Sequence, residues 1–158
     1  MIELVRSAHS LGEANFHFQF TPKYRRDVFR DGEVKRVCED SFRETAARYD
    51  FAVHAVEFGP EHAHIFVGAC KNRSVSELAR LLKGASSRRL RLECWDRLCG
   101  KLWGDSFWSD GYFYRSVGAT TNEAIEFYIQ NSQRKHWRAV DHDLYIQSKQ
   151  KPLTQYLN

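Results

Sequence analysis

Residues 14–21 read Ala-Asn-Phe-His-Phe-Gln-Phe-Thr, and this stretch decides the fold. Phe16, Phe18 and Phe20 alternate with Asn15, His17 and Gln19, the period-two pattern of a strand with one buried face. Pro22 closes the strand and is followed by the basic turn Lys23-Tyr24-Arg25-Arg26. From Glu33 to Tyr49, Val34, Val37, Cys38, Phe42 and Ala46 recur near helical spacing, so a helix follows. Residues 51–58 and 62–70 form two apolar strands joined at Gly59-Pro60, which reads as a hairpin. Ser74-Val75-Ser76-Glu77 is a capping box and opens a helix predicted to run to about Arg97. Residues 100–114 read as an ordered loop, and Tyr112 to Val117 as a short strand. A second capping box, Thr120 to Glu123, opens a last helix through about Trp137. The order β-α-β-β-α-β-α predicts an α+β, ferredoxin-like split-βαβ fold: one antiparallel sheet with helices on one face, plus a C-terminal helix.

Outward from this frame, the 158 residues suit a single domain, 1–158, with a core over about 14–137 and a tail, 138–158, whose structure the pattern leaves open. Hydrophobic residues at 42% and charged residues at 28% exclude a disordered or fibrous chain. The longest apolar runs are a few residues, which predicts no membrane span and a cytoplasmic protein. Cys38, Cys70, Cys94 and Cys99 include no C-x-x-C pair, which disfavours a zinc ribbon or a disulfide scaffold. The net charge of +4 is unevenly placed: from Lys71 to Lys101 nine Lys or Arg face three acidic residues.

Three features carry chemistry. His62-Ala63-His64 opens a strand, where residues two apart share a face, so both imidazoles can ligate one metal. An H-x-H pair alone is unspecific. In the last helix, Tyr128 shares a face with the small and polar residues Thr121, Ala124, Asn131 and Ser132, which leaves space around its hydroxyl. In the helix from Ser74, Leu78, Leu81, Leu82 and Ala85 form an apolar stripe. Arg80, Lys83, Ser87 and Arg91 lie on the opposite side, with Arg88 and Arg89 beside them. Trp95, Trp103 and Trp108 follow, a mixture suited to phosphates and unstacked bases. His9, His17, His54 and His142 lack ligand spacing and read as structural. Neither G-x-x-x-x-G-K-[ST] nor G-x-G-x-x-G occurs, so no nucleotide cofactor is expected.

Phe20-Thr21-Pro22-Lys23-Tyr24-Arg25-Arg26, Glu61-His62-Ala63-His64-Ile65-Phe66-Val67, Leu82-Lys83-Gly84-Ala85-Ser86-Ser87, Trp108-Ser109-Asp110-Gly111-Tyr112-Phe113 and Tyr128-Ile129 occur in this order. Together they resemble the TnpA-type single-tyrosine HUH transposases of insertion sequences that move as single-stranded DNA. The resemblance implies that His62 and His64 bind Mg²⁺ or Mn²⁺ and that Tyr128 is the nucleophile, forming a 5′-phosphotyrosine intermediate. It also implies a homodimer with shared active sites and recognition of single-stranded DNA through hairpin ends. The DNA-binding residues are then Lys23, Arg25, Arg26, Arg80, Lys83, Arg88, Arg89 and Arg91. The family places a glutamine four residues after the tyrosine as third metal ligand, whereas Ser132 stands there in this chain. Gln133 is the candidate by its amide oxygen, and Asn131 or Ser132 could serve without a helical bulge. Two other readings use parts of the pattern: a catalytically silent nucleic-acid-binding module on this fold, and an unrelated H-x-H metallohydrolase.

Overall fold

The computed structural model describes residues 5–7, 9–102 and 104–118. Strands β1 (Val5–Ser7) and β2 (Ser10–Gly12) pair as a small antiparallel hairpin that the sequence pattern did not predict. The main sheet holds β3 (Asn15–Phe20), β4 (Ala52–Gly59), β5 (His62–Gly68) and β6 (Phe113–Val117) in the order β4-β5-β3-β6. Every neighbouring pair is antiparallel. Consequently β3 and β4, joined through helix α1 (Gly32–Arg48), run parallel with β5 inserted between them. This is the split βαβ arrangement predicted for a ferredoxin-like fold.

Local chemistry sets the boundaries. Asp31 caps α1 by accepting hydrogen bonds from the amides of Glu33 (2.9 Å) and Val34 (3.3 Å). Helix α2 (Val75–Glu93) begins where the Ser74 hydroxyl accepts from the Glu77 amide at 3.2 Å. The reciprocal half of the capping box gives way to an ion pair, in which the Glu77 carboxylate meets Arg73 at 2.8 Å. Helix α2 also ends earlier than predicted: Cys94 leaves helical geometry at φ −122°, ψ 18°, and a separate turn α3 (Trp95–Leu98) follows.

Alternation in β3 divides the sheet into two faces. Phe18 and Phe20 join Ala63, Ile65 and Val67 in the core, against Val34, Val37, Phe42 of α1 and Leu78, Leu82, Leu90 of α2. The buried stripe of α2 is rotated from the predicted one: Ala85 is exposed, while Ser86 is fully buried. Ser86 fits there because its hydroxyl donates to the Leu82 carbonyl (2.7 Å) and accepts from the Trp108 indole N–H (2.9 Å). Trp108, expected to contact bases, is instead a core residue, 4% exposed and packed among Phe20, Phe29, Phe42 and Phe107. Cys38, Cys70 and Cys94 are buried thiols and Cys99 is exposed, with none in a disulfide. Among the described residues no helix is long and apolar enough to cross a membrane. The helix predicted over 120–137, with Tyr128, Asn131, Ser132 and Gln133, lies outside the described residues, as do Trp103 and the tail.

Candidate active site

His62 and His64 project from the sheet face opposite the two helices. Their rings lie 4.8 Å apart, centroid to centroid, and are nearly perpendicular at 81°. His62 is seated by the turn: its ring lies over Gly59, its ladder partner, where a Cβ would come to 2.6 Å from Nε2. Only glycine leaves that space open. The His62 Nδ1 meets the Glu61 carboxylate at 3.2 Å, and Glu61 also pairs with Arg25 at 3.8 Å. The basic turn is thereby tied to the histidine pair. Within that turn Tyr24 (φ 59°) and Arg25 (φ 51°) adopt left-handed backbone, a strained conformation for side-chain-bearing residues. The turn is held by the Lys23 amide bonding the Phe107 carbonyl at 2.7 Å and by a bridge between Pro22 and Trp108.

His64 is 1% exposed, and its Nδ1 lies 2.9 Å from Nε2 of His17, which is fully buried and stacked against it. Burial, reinforced by the neighbouring His62, holds the His64 pKa down at about 3. Burial, then His64 and Arg115, pushes His17 well below the usual imidazole range. Both rings are therefore neutral at physiological pH, the form in which imidazole binds metals. When His64 donates from Nδ1 to His17, its Nε2 presents a lone pair. That Nε2 is buried and has no hydrogen-bond partner. A partnerless ring nitrogen beside a second imidazole fits a cation, so the residues present suit a metal. His17, read from sequence as structural, thus orients a candidate ligand. The missed signal was its phase in the β3 alternation, which puts it on the histidine face once β3 is paired with β5. Among the described residues no group of three or more His, Cys, Asp or Glu side chains could hold a metal.

The predicted DNA-binding cations separate into distinct surroundings. Lys83 is drawn inward: its ammonium donates to the carbonyls of Ser109 (2.6 Å) and Asp110 (3.2 Å) and sits over the rings of Phe20 and Tyr112. Its pKa is lowered, chiefly by burial. Arg89 is engaged by Glu44 and Glu93, both at 2.8 Å. Arg91 lies 5.6 Å from the centre of the half-exposed Trp95 ring. Arg80 and Arg88 are exposed and line a cleft of about 450 Å³ between α1 and α2, together with Arg48 and Tyr49. That cleft belongs to the helix layer, across the sheet from the histidines. Lys23, Arg25 and Arg26 are adjacent in the turn after β3, where Lys23 pairs with Asp110 at 3.8 Å.

The four-stranded ferredoxin-like sheet carries an H-x-H pair on the face opposite α1 and α2, and comparison with known proteins supplies the family. Residues 10–132 match the model of the IS200-like transposases, and the chain belongs to that family. It is 29% identical over 134 residues to the ISDra2 transposase TnpA of Deinococcus radiodurans, covering 85% of this chain and 94% of that protein. It is 32% identical over 124 residues to the transposase of insertion sequence element IS200 from Salmonella typhimurium, covering 78% and 80%. Among solved structures, a candidate transposase from Deinococcus radiodurans superposes with a TM-score of 0.64 at 26% identity, over 80% of this chain and 96% of that one. A REP-associated tyrosine transposase bound to a REP hairpin shares the fold, with a TM-score of 0.53 at 17% identity over 87% and 76% of the two chains.

Proposed function

We propose that the chain cleaves and rejoins single-stranded DNA at the hairpin-bearing ends of an insertion sequence, through a covalent link between Tyr128 and a 5′-phosphate. The observation that carries this reading is the buried, partnerless Nε2 of His64 beside His62, on a member of the IS200-like transposase family. His62 and His64 would hold a divalent ion, Mg²⁺ or Mn²⁺, with Gln133 as the further donor that the family resemblance suggests. When bound, such an ion polarises a non-bridging phosphate oxygen and offsets the charge that develops on it.

The chain's own residues supply the remaining steps. The Tyr128 phenolate attacks phosphorus, the P–O3′ bond breaks, and the departing oxygen takes a proton to become a 3′-hydroxyl. The phosphotyrosine retains the energy of the broken diester, so rejoining requires no nucleotide. His17 fixes the His64 ring, while the Glu61–Arg25 pair links the histidines to the basic turn. Lys23, Arg25 and Arg26 are suited to the backbone near the cleaved bond, and Arg80 and Arg88 to the hairpin stem. Two subunits would share each site, with the helix bearing Tyr128 reaching the partner's histidines from a connection at 117–119.

The test is incubation of the protein with a labelled single-stranded hairpin substrate and Mn²⁺. A covalent protein–DNA adduct is expected, absent in Tyr128→Phe and in His62→Ala, both of which should still bind the hairpin. A mixture of these two variants should regain adduct, because a heterodimer contains one complete site. Undiminished adduct in Tyr128→Phe overturns the nucleophile assignment, and undiminished cleavage in His62→Ala overturns the metal site.

A further inference from the structure

Gln19 occupies a position that its sequence context does not advertise. It lies on β3 directly opposite His64 of β5, and its place in the alternation with Phe18 and Phe20 puts it on the histidine face. Directly opposed residues of an antiparallel pair have Cβ atoms about 4.5–5.5 Å apart, so the Gln19 amide and the His64 ring are neighbours. The Gln19 Oε1 is buried and, like the His64 Nε2, has no hydrogen-bond partner. Leaving a buried acceptor unsatisfied is costly, and here two acceptors on neighbouring residues are left so together. With His64 donating from Nδ1 to His17, neither atom can satisfy the other, because each presents a lone pair. A cation held between them would satisfy both.

Alternatives on the same face fit less well. Glu57 flanks His64 from β4, but it is exposed and forms no metal-holding group with the two histidines. Glu61 is engaged by His62 Nδ1 and Arg25. An amide oxygen is a hard donor of the kind that Mg²⁺ and Mn²⁺ prefer.

We propose that Gln19 is a metal ligand, giving the sheet a three-donor set of His62, His64 and Gln19 on its own. The inference rests on the metal reading given under Proposed function.

The experiment titrates the full-length protein with Mn²⁺ and reads free Mn²⁺ by electron paramagnetic resonance, with thermal unfolding of the metal-free protein measured alongside. His64→Ala should lose specific Mn²⁺ binding. Gln19→Leu should weaken binding by at least roughly 10–100-fold, the loss that follows removal of a residue that only orients a metal ligand. Its metal-free melting temperature should stay the same or rise, since an unsatisfied buried atom has been removed. Gln19→Glu should restore or tighten binding, because a carboxylate oxygen replaces the amide oxygen. Wild-type Mn²⁺ affinity in Gln19→Leu, with binding lost in His64→Ala, overturns the role of Gln19 and leaves the metal reading intact. A Gln19→Leu protein that is destabilised without metal and binds Mn²⁺ normally overturns it too, by showing a purely structural residue. Equal Mn²⁺ binding in wild type and His64→Ala overturns the metal reading itself, and the ligand assignment with it.

Discussion

The His62 imidazole lies over Gly59, its partner across the β4–β5 hairpin, in space that any side chain at position 59 would fill. Gly59→Ala should therefore displace the ring and impair the site more than the fold. We expect Mn²⁺ affinity to drop at least roughly tenfold, the loss that follows when the group orienting a metal ligand is disturbed. The unfolding midpoint should change little, since the residue sits at a hairpin end. Calorimetric titration and denaturant unfolding of the same variant check both halves.

Lys83 and Arg88 lie on one helix but should behave differently. Replacing Lys83 by Met leaves the Ser109 and Asp110 carbonyls without their cation. Hydrogen bonds to charged groups contribute about 1.5–3 kcal/mol, so a stability loss of that order is expected in urea unfolding. Arg80→Ala with Arg88→Ala should leave stability nearly unchanged. In hairpin binding it should reduce the slope of log affinity against log salt by about 0.7–0.9 for each phosphate that is no longer neutralised. An unchanged slope would remove the cleft between α1 and α2 from the DNA interface.

Ser86→Ala tests the junction between α2 and the loop before β6. Its hydroxyl is the hydrogen-bond acceptor of the buried Trp108 indole. The variant should lose about 1–3 kcal/mol, the cost of an orphaned buried donor. Ser86→Thr, which keeps the hydroxyl, should recover part of it unless the added methyl group is too large for a fully buried position.

Acid sensitivity follows from the two buried imidazoles. His64 is held at about 3 and His17 well below its ordinary value, so in the folded state both resist protonation. In the unfolded chain both take up protons near pH 6.5. The His64 contribution to stability is complete above pH 6.5 and declines as pH falls towards about 3, by up to about 1.4 kcal/mol per pH unit, and the buried neutral His17 adds to the loss in the same direction. Stability of the metal-free protein between pH 7 and pH 4 should fall more steeply than in His17→Phe. Parallel curves for the two proteins would contradict the burial of a neutral His17.

Much of the fold was legible because its signals are local. The alternation of Phe16, Phe18 and Phe20, the Gly59-Pro60 turn and the Ser74 cap each lie within a few residues. The site was only partly legible, because its second layer depends on pairing between distant segments. His62 and His64 announce themselves by spacing, whereas His17 meets His64 across 47 residues of sequence. The phase of His17 in the β3 alternation points to the histidine face only once the pairing of β3 with β5 is known. Pairing between separated segments also hid Trp108, whose indole is satisfied by Ser86, and Lys83, whose partners are backbone carbonyls without a side-chain signature. The early end of α2 at Cys94 carries neither glycine nor proline to mark it.

The strand order gives the site a history as well as a place. The β4–β5 hairpin is local and brings His62 and His64 together as soon as its turn closes, on the microsecond scale typical of hairpins. His17 and Gln19 arrive only when β3 docks along the free edge of β5, a pairing of long sequence separation that forms late. On the proposed ligand set, a nascent hairpin would present only the two imidazoles, and all three donors would meet only in the finished sheet. On that ligand set, metal binding would therefore report that the central strands have paired, and a partly folded copy would lack the metal site that the proposed cleavage requires.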